Sequence, residues 1–220
     1  MSVDVIVSYD GTENDDDALA LGKLLTADAT KLALAYVRHA PELNPERETL
    51  AQHDAASRLA QGAARLGAPE IPQHVVFGAS TGAGLEELAA AEGASLIVFG
   101  SDYRTPPGHA EPPTSAQRLL EIGATAIGVA AAGLRADPGA KIGSIAVIGG
   151  DDAAQQTADA LAAKLGAQIV AAGAPLADLI VVGAQPGAPA GRIALSGSAR
   201  TQLDASRGSV IVVPSGKPLV

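Results

Sequence analysis

Apolar positions recur along this chain in two alternating rhythms. Short runs of β-branched and aliphatic residues give way to longer stretches in which apolar side chains return every three or four residues. The first pattern predicts strands and the second predicts helices. Over the first 134 residues the expected strands are Val3–Ser8, Lys31–Val37, His74–Phe77, Leu96–Gly100 and Ala124–Ala130. The expected helices are Asp15–Leu25, Glu46–Leu66, Gly84–Glu92 and Ser115–Ile122. Strands separated by helices imply crossover connections, and therefore a parallel sheet covered on both faces. The expectation is a doubly wound α/β fold with a five-stranded parallel sheet.

Ala132–Ala140 breaks the pattern with Gly133, Pro138 and Gly139 and no apolar period, so it reads as a linker. The pattern then restarts. Ser144–Ile148, Asp178–Val182 and Ser209–Val213 are expected strands, and Ala153–Leu165 and Ser198–Leu203 are expected helices. Leu96-Ile97-Val98-Phe99-Gly100 matches Leu179-Ile180-Val181-Val182-Gly183, and Ala124–Val129 matches Ser209–Val213, as in a diverged internal repeat. The expected organisation is a complete domain over 1–131, a linker over 132–141 and a truncated second copy over 142–220. Gln168–Ala172 is a further apolar run, but only about six residues join it to Asp178, where a parallel crossover usually takes a dozen or more. An irregular edge strand or antiparallel pairing is expected there.

Composition narrows the chemistry. Aromatic residues make up 2% of the chain, so the core is expected to be built from Ala, Val, Leu and Ile. The absence of cysteine excludes disulfides, zinc–thiolate sites and thiol catalysis. The first residues lack the basic and apolar regions of a signal peptide, and no apolar run approaches membrane-spanning length, so a cytoplasmic protein is expected. A net charge of −9 disfavours nucleic acid and anionic membranes as partners. Residues 1–134 carry 18 acids and 8 bases, whereas residues 135–220 carry 6 acids and 7 bases. The later segment repels a polyanion least.

Glycines cluster between the strand ending at Val182 and the helix expected from Ser198: Gly183, Gly187, Gly191, and Gly197-Ser198. Removing Cβ lets backbone approach an anion, and the first amides of a helix offer donors and partial positive charge. Gly187, nine residues, then Gly197-Ser198 resembles the second half of the nucleotide signature of the universal stress proteins. That signature runs Gly, two residues, Gly, nine residues, Gly, Ser or Thr. The first interval departs from it, since three residues separate Gly183 from Gly187 and Pro186 stands where the second glycine would fall. The resemblance covers essentially the whole chain. It implies adenosine near the C-terminal ends of the first two strands, phosphates on the glycine loop after the fourth, and pairing of two domains through their last strands. Here that pairing would set Ala124–Ala130 beside Ser209–Val213.

Asp10-Gly11-Thr12 follows the first strand and resembles the family motif whose aspartate contacts the nucleoside; a strand-to-helix turn with Asp10 or Thr12 as cap is the other reading. At the matching place the second unit has Gly149-Gly150-Asp151, which keeps only the glycine turn. Asp15-Asp16-Asp17 diverge by about 100° each on a helix and cannot close on one ion, so they read as helix-start stabilisation. The loop from Gly100 to Thr114 places Tyr103 and Pro113 where the family has glycines, so weak or no nucleotide binding is expected there. The four histidines show no metal spacing, and Ser80-Thr81 reads as a helix cap.

The expectation for function is a non-catalytic stress-response module that binds an adenine nucleotide, or derives from one that did. Gly183, Gly187, Gly197, Ser198 and Ala199 would hold phosphates, and Asp10 and Val37 would contact adenosine. ATP or AMP is the expected ligand, with Mg²⁺ accompanying ATP and no catalytic or resident metal site. An intrachain pseudo-dimer, a homodimer and an unidentified protein partner fit the same resemblance. The alternatives are a nucleotide-free dimeric interaction scaffold and a weak ATPase.

Overall fold

A computed structural model describes residues 4–26, 31–149, 151–171, 176–205 and 207–219. Val3, Gly150 and Ala172, which enter the sequence readings above, lie outside the described residues. The first half contains β1 (Val5–Ser8), α1 (Glu13–Thr26), β2 (Leu32–Arg38), α2 (Pro45–Leu66), β3 (Gln73–Phe77), α3 (Thr81–Glu92) and β4 (Leu96–Phe99). It continues through α4 (Thr114–Gln117), α5 (Leu119–Ile122) and β5 (Ala126–Val129). The second contains β6 (Ser144–Ile148), α6 (Asp152–Leu165), β7 (Gln168–Val170), β8 (Leu179–Val182), α7 (Gly197–Ala205) and β9 (Ser209–Val212).

Local chemistry sets the clearest boundaries. Asn44 Oδ1 accepts from the amides of Glu46 and Arg47 at 2.9 and 3.1 Å, Pro45 stands at the first helical position, and Gly67 at φ 71° closes α2. Ser80 Oγ accepts from Ala83 N at 3.2 Å, so Ser80 is the cap that the sequence suggests, and α3 begins at Thr81, three residues before the expected start. The helix expected over Ser115–Ile122 breaks at Arg118 into two single turns. Pro113 precedes the first turn without a side-chain cap, and the Gly123 amide closes the second on Leu119 O at 2.7 Å.

Nine strands form one sheet among the described residues, in the order β3-β2-β1-β4-β5-β9-β8-β6-β7. The five-stranded sheet expected for the first half is thus one part of a larger one. Every neighbouring pair is parallel except β5 and β9, which run antiparallel with Ile127 opposite Val212 and Val129 opposite Val210. The strand pairing implied by the resemblance is therefore present. The order β7-β6-β8-β9 also follows the pattern of β2-β1-β4-β5. The inner strands β4, β8 and β9 are buried at every position, as expected for parallel strands covered on both faces.

β7 is the edge strand that one expectation gave, but the antiparallel alternative is corrected: it pairs with β6 in parallel, with Ser144 opposite Gln168 and Ala146 opposite Val170. The crossover closes because the strand is only three residues long, leaving eight residues between Val170 and Leu179. Eight residues reach about 26–29 Å when extended. The path to β8 needs about 10 Å sideways past β6 and about 10 Å back along the strand.

Helices α1, α2 and α6 cover one face, packing Leu19, Leu59 and Leu161 against Val5, Val7 and Ile145. Helices α3 to α5 and α7 cover the other, with Leu85, Leu119 and Ala199 against Ile6, Ile97 and Ile180. Each apolar layer runs across both halves. Small residues bring the helices close to the sheet; a Cβ at Gly62 would lie 2.9 Å from the Tyr9 ring and 3.0 Å from Leu34. Among the described residues no helix is long and apolar enough to cross a membrane.

The segment read as a linker is clamped. It contains a 3-10 turn at Leu134–Ala136, and the fully buried Asp17 carboxylate accepts from Gly133 N at 3.0 Å and from Arg135 N at 2.7 Å. The Arg135 guanidinium adds a third bond to Asp17 at 2.7 Å and reaches Glu13 at 2.9 Å. The three consecutive aspartates of α1 therefore part ways. Asp15 closes the helix start, Asp16 meets the Tyr9 hydroxyl and Arg65, and Asp17 fastens the connection between the halves.

Asp17→Ala leaves three donors at this joint without their acceptor, and removing one partner of a buried pair costs about 3–5 kcal/mol. Urea unfolding is expected to show a loss of that size; a loss below about 1 kcal/mol would contradict the clamp.

Candidate functional site

Strand order reverses between β1 and β4, because β2 follows β1 on one side and the rest of the sheet continues on the other. Open α/β sheets bind ligands in the crevice at the carboxyl ends of such strands. Here a cavity of about 720 Å³ opens at that point, lined by the ends of β1, β2 and β4 and by one side of α2. Gly11 at φ +92° turns the chain out of β1 and into α1. Gly100 ends β4 against the start of α1, where a Cβ would overlap the Asn14 carbonyl oxygen. The Asn14 side chain ties the same two segments together by donating to Ser101 O at 2.8 Å.

Asp10 and Val37, the two residues that sequence connects with adenosine, both line this cavity. The chain has only five aromatic residues, and four of them, Tyr9, Tyr36, Phe99 and Tyr103, also line it. Tyr9 and Phe99 are buried, while Tyr103 is exposed at the rim. The guanidinium of Arg58 lies over the Tyr36 ring, 5.5 Å from its centre, and donates to Asp10 O at 3.4 Å. Arg38 lines the cavity as well, but its guanidinium forms two 2.7 Å bonds to Glu48. Those bonds hold the Glu48 carboxyl down to about 2. Neither arginine partnership is visible in sequence. The placement of Tyr9 and Tyr36 at strand ends is the signal that could have pointed to the ring-lined wall.

The Asp10-Gly11-Thr12 segment forms the strand-to-helix turn between β1 and α1. Asp10 Oδ1 accepts weakly from Thr12 N at 3.3 Å, and its carboxylate remains exposed in the cavity. Asp15 Oδ2 reaches back to Thr12 N and Thr12 Oγ1, both at 2.9 Å, and to Asp10 N at 3.1 Å. This is the acid's half of a capping box: the Asp15 carboxylate takes the Thr12 amide, while the Thr12 hydroxyl donates to that carboxylate and the Asp15 amide goes to Thr12 O at 3.2 Å. Burial pushes the Asp15 carboxyl up to about 7, and hydrogen bonding and repulsion from the Asp10 carboxylate act in the same direction.

The loop from Gly100 to Thr114 binds itself. Tyr103 and Pro113 line the cavity where the resemblance would put glycines. Asp102 N donates to Glu111 O, Thr105 N to Asp102 O, and Glu111 N to Ser101 Oγ.

In the second half, Gly183 follows β8 and donates to Ile148 O at 3.3 Å. Gly187 at φ +81° and Gly197 at the start of α7 face open space, and Ser198 is exposed. The Ala199 amide, expected to be free for an anion, is instead bonded to Ser196 Oγ at 3.1 Å, so Ser196 caps α7. Ser196 Oγ also lies 3.0 Å from Ser198 Oγ. Gly191 N donates to Ser215 O at 2.8 Å, and Ser215 N returns a bond to Arg192 O at 3.0 Å. Asp151 caps α6 at Ala153 N and accepts from Gly216 N at 2.7 Å, a role beyond the glycine turn read from sequence. The segment after β9 thus lies across the ends of the glycine loop and of β6.

The structure separates the seven predicted contacts into two groups. Asp10 and Val37 share the first-half cavity, whereas Gly183, Gly187, Gly197, Ser198 and Ala199 follow β8, which points the opposite way along the sheet. Among the described residues no three His, Asp or Glu side chains converge to hold a metal ion. His74 lies on β3, where its Nε2 is buried without a protein partner and its Nδ1 lies 4.0 Å from Glu92.

No family model matches this chain, and no curated protein matches it. Among solved structures, a universal stress protein from Archaeoglobus fulgidus superposes with a TM-score of 0.65 at 13% identity, over 96% of this chain and 98% of that one. A functionally unknown protein from Pseudomonas aeruginosa gives 0.63 at 14% identity, over 99% and 93%. A putative universal stress protein from Pseudomonas aeruginosa gives 0.57 at 15% identity, over 96% and 93%. These likenesses show the fold: the chain shares the mostly parallel α/β architecture of universal stress proteins.

Because Asp15 titrates near 7 in the folded state and near 4 when unfolded, the native state holds an extra proton between those values. Its contribution to stability is complete at low pH and falls as pH rises through this window, by up to about 1.4 kcal/mol per pH unit. Asp15→Asn is therefore expected to gain on the wild type between pH 5 and pH 7.5 in urea unfolding; parallel pH profiles would contradict the assignment.

Proposed function

We propose that this chain is a non-catalytic, universal-stress-type regulatory module whose first half binds an adenosine-bearing ligand at the crevice between β1 and β4. Its second half is a truncated copy of the first. One observation carries the reading: the 720 Å³ cavity at the reversal of strand order is where Asp10, Val37 and most of the chain's aromatic rings come together. That volume falls in the usual range for small-molecule sites. The partly exposed Tyr36 ring and the exposed Tyr103 ring offer surface to a flat base, and the exposed Asp10 carboxylate accepts from ribose hydroxyls or a base amino group.

The second half favours a different role. Its glycine loop is bonded to the segment after β9, and its helix-start amide at Ala199 is occupied by Ser196. We assign it to support, closing the β5 edge of the first half through β9. This is the part of the scaffold reading that a specific observation supports. ATP hydrolysis has less support, because no lysine stands among the cavity's lining residues to hold the terminal phosphates.

Calorimetry with adenosine and AMP is expected to detect binding, weakened about tenfold by Asp10→Ala and unchanged by Gly197→Trp. Loss of binding in Gly197→Trp with full binding in Asp10→Ala would move the site to the glycine loop. Affinities weaker than about 1 mM for both ligands would leave the scaffold reading.

A further inference from the structure

We propose that the first-half cavity selects a nucleoside over its phosphorylated forms: it binds an uncharged ring-and-sugar ligand more tightly than one carrying phosphate. This rests on the reading of that cavity as an adenosine site and specifies the chemistry of what enters it.

The lining is acidic. Asp10, Asp15, Glu42, Asp54 and Asp102 place five carboxylates around the cavity, opposed by Arg38, Arg58 and the imidazole of His39. The two arginines are already engaged. Arg38 is held by both oxygens of Glu48, and Arg58 is bonded to the Asp10 carbonyl and laid over Tyr36. A phosphate entering the cavity therefore meets several fixed negative charges and no guanidinium that is free of a prior contact. An uncharged nucleoside meets the same carboxylates as hydrogen-bond acceptors, which its hydroxyl and amino donors can use.

Main-chain donors do not make up the deficit. The usual means of holding phosphate without basic side chains is a row of backbone amides pointing at one spot. In the loop after β4 six amides are spent within the protein, because Asp102, Arg104, Thr105, Gly108, His109 and Glu111 each donate to a protein oxygen, and the Thr114 and Ser115 amides that follow open only the single four-residue turn of α4. Pro106, Pro107, Pro112 and Pro113 have no amide hydrogen to offer. Tyr103 adds a side chain on the same wall, with the Arg104 guanidinium 4.9 Å from its ring centre rather than reaching into the cavity lining.

The apolar side of the balance favours the ring. Tyr36 and Tyr103 stand at the opening, with Tyr9 and Phe99 buried behind it, in a chain that uses aromatic residues almost nowhere else. The cavity thus concentrates what a base recognises and excludes what a phosphate requires.

The test is calorimetry on the full chain at pH 8 and low ionic strength, where Asp15 is ionised, with adenosine, AMP and ATP titrated separately without divalent metal. Adenosine is expected to bind at least about tenfold more tightly than AMP, and ATP more weakly again. AMP or ATP binding as tightly as adenosine would overturn the selectivity while leaving the adenosine site in place. Failure of all three to bind would overturn the parent reading instead. In the double variant Glu42→Gln, Asp54→Asn, both changes fall on exposed positions, and the gap between adenosine and AMP is expected to narrow about tenfold. An unchanged gap in that variant would show that charge does not set the preference and would overturn the inference.

Discussion

The antiparallel ladder between β5 and β9 is the constraint on which the rest of the structure depends. It joins two runs of parallel strands into one sheet and closes an edge that each would otherwise leave open. It also reverses direction, so the carboxyl ends of β1, β2 and β4 lie along one edge and those of β6 and β8 along the other. Four strand spacings, about 19 Å, separate β1 from β8. The two candidate regions therefore cannot combine into one pocket, however closely their sequences match parts of one signature. The apolar layers respond to the same ladder by running unbroken across it, which makes the halves parts of one core.

The features legible in sequence were those set by neighbours along the chain. Asn44-Pro45 and Gly67 delimit α2, Ser80 caps α3, and the unbroken apolar runs of β4 and β8 mark the sheet interior. Thr12 with Asp15, and Ser196 ahead of Ala199, are capping patterns of the same local kind; attention to Ser196 would have shown that the amide at Ala199 was spoken for. What sequence could not supply was partnership at a distance. Asp17 and Arg135 are 118 residues apart, so a buried acid on α1 gave no sign that it fixes the segment between the halves. The edge position of β7 is legible but its parallel direction is not, because a five-residue strand would leave too short a crossover and the chain shortens the strand to three residues.

The two loops that follow equivalent strands show why glycine content is a weak guide to anion binding. One is rich in proline and the other in glycine, yet both have main-chain donors consumed by the protein: the first mainly by its own oxygens, the second partly by the segment after β9. An amide hydrogen is available to a ligand only if the fold has left it unpaired, and that accounting depends on segments remote in the chain. Gly187 and Gly191 adopt positive φ, which explains their presence through loop shape alone.

The scarcity of aromatic residues has a practical consequence. The chain has three tyrosines and no tryptophan, and all three tyrosines line the same cavity. Its tyrosine fluorescence therefore originates entirely from the walls of that cavity, with Tyr103 in contact with solvent and Tyr9 buried against Asp16. The unlabelled protein carries its own optical reporter, and the signal comes from the place where chemistry is expected.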